Sequence, residues 1–145
     1  MPLPHGYPGG AFDAVSCTSP RACTATGTAF GSSPTLAERW NGKRWRIEPT
    51  PNPPGYQTSF SVVALDGVSC TSSTACTASG QYTPGGSAAY FAEAWHGKSW
   101  RLEATPVPAG FTSGALGSVS CVPARCTAVG AYTALDGQVT LAMAR

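Results

Sequence analysis

At 145 residues the chain has the length of one ordinary domain or of a few small repeated units, and only 11% of it is charged, for a net charge of +2. So mild a balance argues against nucleic acid or an anionic membrane as partner, since either would call for clustered basic residues. With 17 glycines and 13 prolines, turns must be frequent, and no apolar run approaches the roughly 18 residues that span a bilayer.

The first ten residues, "MPLPHGYPGG", contain neither a positive n-region nor an apolar h-region, so no signal peptide is visible. From there the chain repeats itself about every 50 residues, and a period of that size marks a repeat architecture. "PLPHGY", "PNPPGY" and "PVPAGF" open three units, expected at residues 2–50, 51–105 and 106–145. Gly6, Gly55 and Gly110 coincide in them, as do Tyr7, Tyr56 and Phe111. "VSCTSPRACTATG", "VSCTSSTACTASG" and "VSCVPARCTAVG" follow. "LAERWNGKRWRIE" and "FAEAWHGKSWRLE" close the first two units, while the third reaches only "LAMAR".

Within each unit the apolar period is 2, the spacing of strands. In the second unit, strands are expected at Leu65–Cys70, Cys76–Tyr82, Ala89–Trp95 and Lys98–Glu103. Asn41-Gly42 between alternating runs signals a type I′ hairpin with positive φ at both positions, and His96-Gly97 holds the same place. Folding that hairpin puts Leu36, Glu38, Trp40, Trp45 and Ile47 on one face and Ala37, Arg39, Arg44, Arg46 and Glu48 on the other. Phe91, Glu93, Trp95, Trp100 and Leu102 sort like the first set. Four short antiparallel strands per unit, aromatic-rich in the last two, predict an all-β, β-propeller-like fold. It would hold two four-stranded blades and a third lacking its last strand.

The six cysteines pair by position as Cys17/Cys23, Cys70/Cys76 and Cys121/Cys126, one pair per unit. Metal binding would ask for tighter C-x2-4-C spacing with further ligands, and a redox site for C-x-x-C. A disulfide across each first hairpin is the expectation, ahead of free buried thiols or a metal. Disulfides predict a secreted or cell-surface protein, and the missing signal then predicts a mature chain or a segment of a longer one.

The pattern "VSC–x–C–TA–G … AE–W–NG–W" resembles Cys-containing propeller repeats of secreted bacterial proteins, most of which lack an assigned activity. Gly42-x-x-Trp45 and Gly97-x-x-Trp100 are also similar to the Asp-box turn of sialidase-type propellers. Trp40 and Trp95 stand where that turn has its Asp, so no sialidase chemistry is carried across. Lectin propellers with repeats of similar length are a looser likeness.

Catalysis is not expected, because one active site needs one arrangement of residues. Asp13/Asp66, Glu38/Glu93 and Glu48/Glu103 are repeat-equivalent pairs. Asp136, which stands alone, lies in the turn signal "ALDGQ". His5 and His96 have no evident partner, and no G-x-S-x-G or phosphate loop occurs. No cofactor or metal is expected either. Glu38 and Glu93 lie among tryptophans, where an unpaired carboxylate is expensive. They are expected to accept hydrogen bonds from backbone N–H groups or a Ser/Thr hydroxyl, the alternative being a ligand-facing acid, and Met143 replaces them in the third unit. Trp40, Trp45, Trp95 and Trp100 are expected to be structural.

An aromatic residue once per blade, Tyr7, Tyr56 and Phe111, with Tyr82 and Tyr132 beyond the second strands, suits stacking on sugars. Its plainer role is to plug the gap between blades. The expected function is a non-catalytic, lectin-like module recognising carbohydrate or cell wall. The alternative is a propeller scaffold for protein–protein interaction or self-assembly without a glycan. Three blades cannot close a ring that takes four to eight, so a homodimer completing six blades is predicted, or else a higher assembly supplying strands in trans; the competing explanation is a fragment whose partner blades are missing.

Overall fold

The computed structural model describes residues 8–30, 35–56 and 62–144. Its eleven strands form three antiparallel sheets, each built from consecutive strands in chain order. The first sheet holds β1 (Gly9–Ser19), β2 (Ala22–Phe30), β3 (Thr35–Trp40) and β4 (Trp45–Glu48). The second holds β5 (Val63–Ser72), β6 (Ala75–Tyr82), β7 (Ala89–Trp95) and β8 (Trp100–Glu103). The third holds β9 (Ser113–Val122), β10 (Arg125–Ala134) and β11 (Gly137–Ala144). The four, four and three strands follow the repeat, and β7 has the bounds that alternation predicts. β5 is longer than Leu65–Cys70, because its pairing with β6 continues outward to Val63–Tyr82 and Ser72–Ala75.

The hairpin that joins the third and fourth strands differs from expectation. Among the described residues no non-glycine has positive φ, so Asn41-Gly42 is not a type I′ turn; of the pair, Gly42 alone is left-handed, at 88°. Trp40 pairs with Trp45 and Trp95 with Trp100, leaving four residues in each loop. Asn41 Oδ1 accepts from the backbone N–H groups of Lys43 and Arg44, both at 3.0 Å. Asn is therefore favoured here as an Asx-turn residue, not as a left-handed one. A two-residue and a four-residue loop set registers two residues apart, which leaves every side chain on its predicted face.

Both faces of the sheets are used. Ala14 and Ala37 of the first sheet join a core with Val63, Leu65, Phe91, Trp95 and Trp100 of the second. We call the face with Glu38, Trp40 and Trp45, or Glu93, Trp95 and Trp100, the leading face. The face with Ala37, or Ala92, is the trailing one. The leading face of the second sheet packs on the trailing face of the first, with β5 against β1, β2 and β3. The third sheet packs on the second in the same sense, with β9 against β5, β6 and β7. A smaller core of Tyr90, Leu116 and Leu141 fills that second junction, flanked by Met143.

One irregularity recurs in every unit. β1 and β5 bulge between Phe12 and Ala14 and between Leu65 and Gly67, and β9 shifts register at the same place, opposite Val129 and Gly130. The bulge drives a carbonyl over the facing strand. A Cβ on Gly27, Gly80 or Gly130 would lie 2.0, 1.9 and 1.9 Å from the carbonyl oxygens of Ala11, Ala64 and Ala115. These three positions accept only glycine.

All six cysteines are in disulfides, Cys17–Cys23, Cys70–Cys76 and Cys121–Cys126, with sequence separations of 6, 6 and 5. Each joins directly opposed residues of a hairpin, and three such bonds fit an oxidising environment. Replacing Cys70 and Cys76 together by alanine should lower the unfolding free energy by about 2 kcal/mol, since only a short loop is closed. Urea denaturation of the variant against the oxidised wild type measures this, and equal midpoints would show that the bond contributes nothing.

Candidate interaction surfaces

The two sheet junctions share contacts residue for residue. At the first, the Cys70 N–H donates to Ser16 Oγ at 2.9 Å; at the second, the Cys121 N–H donates to Ser69 Oγ at 2.9 Å. Thr24 Oγ1 lies 3.6 Å from Cys76 Sγ, and Thr77 Oγ1 lies 3.3 Å from Cys126 Sγ. Thus in the first two units the serine of the V-S-C triplet and the threonine after the second cysteine reach forward to the next sheet's disulfide. The first junction adds Arg39, whose guanidinium lies 4.6 Å from the centroid of the Trp95 ring and donates to the Ser73 carbonyl. Stacking of this kind is worth about 1 kcal/mol or more when partly desolvated.

The tryptophans form tilted pairs, Trp40 with Trp45 at 5.8 Å and Trp95 with Trp100 at 5.9 Å. Trp95 and Trp100 are buried by the sheet before them, whereas Trp40 and Trp45 are only half-buried. Trp40 Nε1 donates to the Pro20 carbonyl at 3.2 Å, while Trp95 and Trp100 find no acceptor for their indole N–H groups among the described residues.

Glu38 and Glu93 are wholly buried, as the register predicts. The hydrogen bonds expected for them are not formed: none of their four carboxyl oxygens has a partner among the described residues. Burial in place of pairing raises both carboxyls, that of Glu93 from 4.5 to about 8. A carboxylic acid held neutral escapes most of the cost of an unpaired charge, which is how the fold tolerates the residue, and Met143 fills the third position without a charge. Thr26 and Ser79, repeat-equivalent on the trailing faces, are also buried, and their hydroxyls have no partner among the described residues. Asp66 is raised by burial and by neighbouring Asp13, with Gln81 opposing.

The aromatic candidates pack against one another. Tyr7 lies outside the described residues, as do His5 and Arg145. Phe111 stacks on Tyr132 at 6.2 Å and meets the edge of Tyr90 at 5.3 Å, so it bridges the second and third sheets. Tyr82 meets Phe91 edge-on at 5.8 Å, and Tyr56 packs against the first core. All four are half-buried. Gly55 and Gly110, at φ 81° and 74°, turn the chain just before Tyr56 and Phe111 and aim those rings at the sheets. Asp136 occupies the turn of the β10–β11 hairpin, and His96 lies 3.5 Å from Glu103.

The signal that sequence reasoning passed over is the Ser of V-S-C and the Thr of C-T-A, which recur in every unit and carry the junction hydrogen bonds. Among the described residues no three His, Cys, Asp or Glu side chains gather as a metal ion would need, and no helix is long and apolar enough to cross a membrane. No family model matches the chain, and no characterised protein matches it significantly.

Proposed function

We propose that the chain is a non-catalytic interaction module of propeller type, exported to an oxidising compartment, whose working surfaces are the faces of its outermost sheets. The observation that carries this is the repeated junction: the same serine and threonine contacts join the first sheet to the second and the second to the third. An element that stacks by one rule, copy after copy, is built to be extended by further sheets. Packing about a shared axis, with β1, β5 and β9 innermost, accounts for contact of each with the next.

The scaffold reading is preferred to the lectin-like one because the repeated aromatics engage each other. Phe111 already stacks on Tyr132 and packs T-shaped with Tyr90, which leaves less ring for a sugar to stack on. Glycan-array binding and titration of the intrinsic tyrosine and tryptophan fluorescence test this. The expected result is no array hit and no quenching up to millimolar sugar. Quenching by one sugar class that is lost in Tyr82→Ala or Tyr132→Ala would overturn the scaffold reading in favour of the lectin.

A further inference from the structure

The leading face of the first sheet and the trailing face of the third are the two halves of a junction that the chain makes twice internally, each here without its counterpart. Val68 and Val119, the valines of the second and third V-S-C triplets, are 8% exposed beneath the preceding sheet, whereas Val15 in the first is 63% exposed. Trp95 and Trp100 are buried, but Trp40 and Trp45 are half-open. A groove lined by Phe12, Asp13, Ala14, Val15, Ala25 and Trp45 runs across this face. The face is shielded in part, at Ala25, Ala29, Leu36 and Glu38.

The opposite end of the chain mirrors it. Thr26 and Ser79 are 0% exposed where the next sheet covers them, whereas Val129 at the same position is 48% exposed. Ser120 and Thr127, equivalent to the junction donors and acceptors Ser16/Ser69 and Thr24/Thr77, are exposed and make no inter-sheet hydrogen bond among the described residues. A second groove lies here, between Ser118, Val129, Thr140 and Ala142. One face thus presents the open valine, disulfide and Trp pair, and the other presents the Ser, Thr and small residues that cover those groups at the internal junctions.

We propose that the trailing face of the third sheet seats on the leading face of the first sheet of a second copy, and reciprocally, in the register of the internal junctions. The Cys17 N–H then donates to Ser120 Oγ of the second copy, Thr127 Oγ1 approaches the Cys23 sulfur, and Val15 and Trp45 lose their solvent exposure. Such an interface is heterologous, and it closes when two chains bring six sheets together, a permitted ring size. This rests on reading the outer sheet faces as interaction surfaces, and it adds the identity of the partner.

Val15→Glu and Val129→Glu test it on the full chain, because both side chains are already exposed and the monomer fold should tolerate the charge. Sedimentation equilibrium of the wild type should give twice 14.8 kDa. Each variant alone should be a monomer, weakened at least tenfold, with unchanged circular dichroism. An equimolar mixture should recover one-to-one pairs, since the intact trailing face of Val15→Glu meets the intact leading face of Val129→Glu. That recovery is what a head-to-tail interface requires and a symmetric patch forbids. A wild-type monomer up to about millimolar concentration, a larger assembly, or a dimer indifferent to both charges would overturn the proposal. A monomer that binds a different protein, in a way blocked by Val15→Glu, would overturn the second-copy partner while leaving the scaffold reading intact, whereas sugar quenching would remove that reading itself.

Discussion

Glu93→Met is expected to raise the unfolding free energy by on the order of 3 kcal/mol at pH 7 and to flatten its pH dependence. Glu93 is wholly buried without a hydrogen-bond partner among the described residues, and its carboxyl is pushed from 4.5 to about 8 by desolvation. Below pH 4.5 the group is protonated in both the folded and the unfolded chain, so it contributes no pH dependence. As the pH rises from there, the unfolded chain releases its proton while the folded chain holds it until about pH 8. Folding therefore takes up a proton across this window, and stability falls through it with increasing pH. Above pH 8 both states are ionised and the loss has reached its full extent. Methionine already serves at the equivalent position 143, against Leu116 and Leu141, so the replacement is compatible with the packing. Urea denaturation at pH 5 and pH 8.5 provides the comparison. A wild type equally stable at both values, or a variant with the same slope as wild type, would mean that Glu93 finds a charge partner after all.

Gly80→Ala is the change expected to damage the fold most, by more than about 3 kcal/mol. Its Cβ would sit 1.9 Å from the Ala64 oxygen and 2.9 Å from the carbonyl carbon. These are backbone atoms fixed by the bulge between Leu65 and Gly67, so no side chain can turn aside to make room. Gly130→Ala should behave in the same way against Ala115. Gly117→Ala is the control: nothing lies within 4 Å of its added Cβ, and the change should stay within about 1 kcal/mol. Chemical denaturation of the three variants decides the matter. If Gly80→Ala unfolds with the wild-type midpoint, the bulge does not hold that carbonyl over the glycine.

The glycines that face the bulges are marked in the chain itself. Gly27, Gly80 and Gly130 stand at one repeat position, four residues after the second cysteine of each unit. That recurrence marks a close approach of backbone, yet it takes the bulge on the facing strand to say which atom approaches. The Asn41-Gly42 loop missed for a different reason. Alternation specifies a side chain's face but not the register along the strand, so a two-residue slip passes unseen. Glu38 and Glu93 were correctly placed on the apolar face, but their missing partners depend on what the neighbouring sheet brings opposite.

The aromatic residues divide in the same way. Their recurrence is visible in the chain, and so is the turn glycine beside Tyr56 and Phe111. Whether a ring offers itself to solvent or to another ring follows from where the next sheet lies, and Phe111 finds Tyr90 and Tyr132 there.

Strand number, strand order within a unit, the paired cysteines and the inward parity of each side chain are written locally. They follow from a period of two, from turn residues and from three copies of one phrase, and none needs a distant partner. The covering of one sheet by the next, the neutral burial of Glu93, and the exposure of Val15 and Val129 at the two ends arise only when sheets stack. A face is apolar by its own residues, but it is buried only by something else.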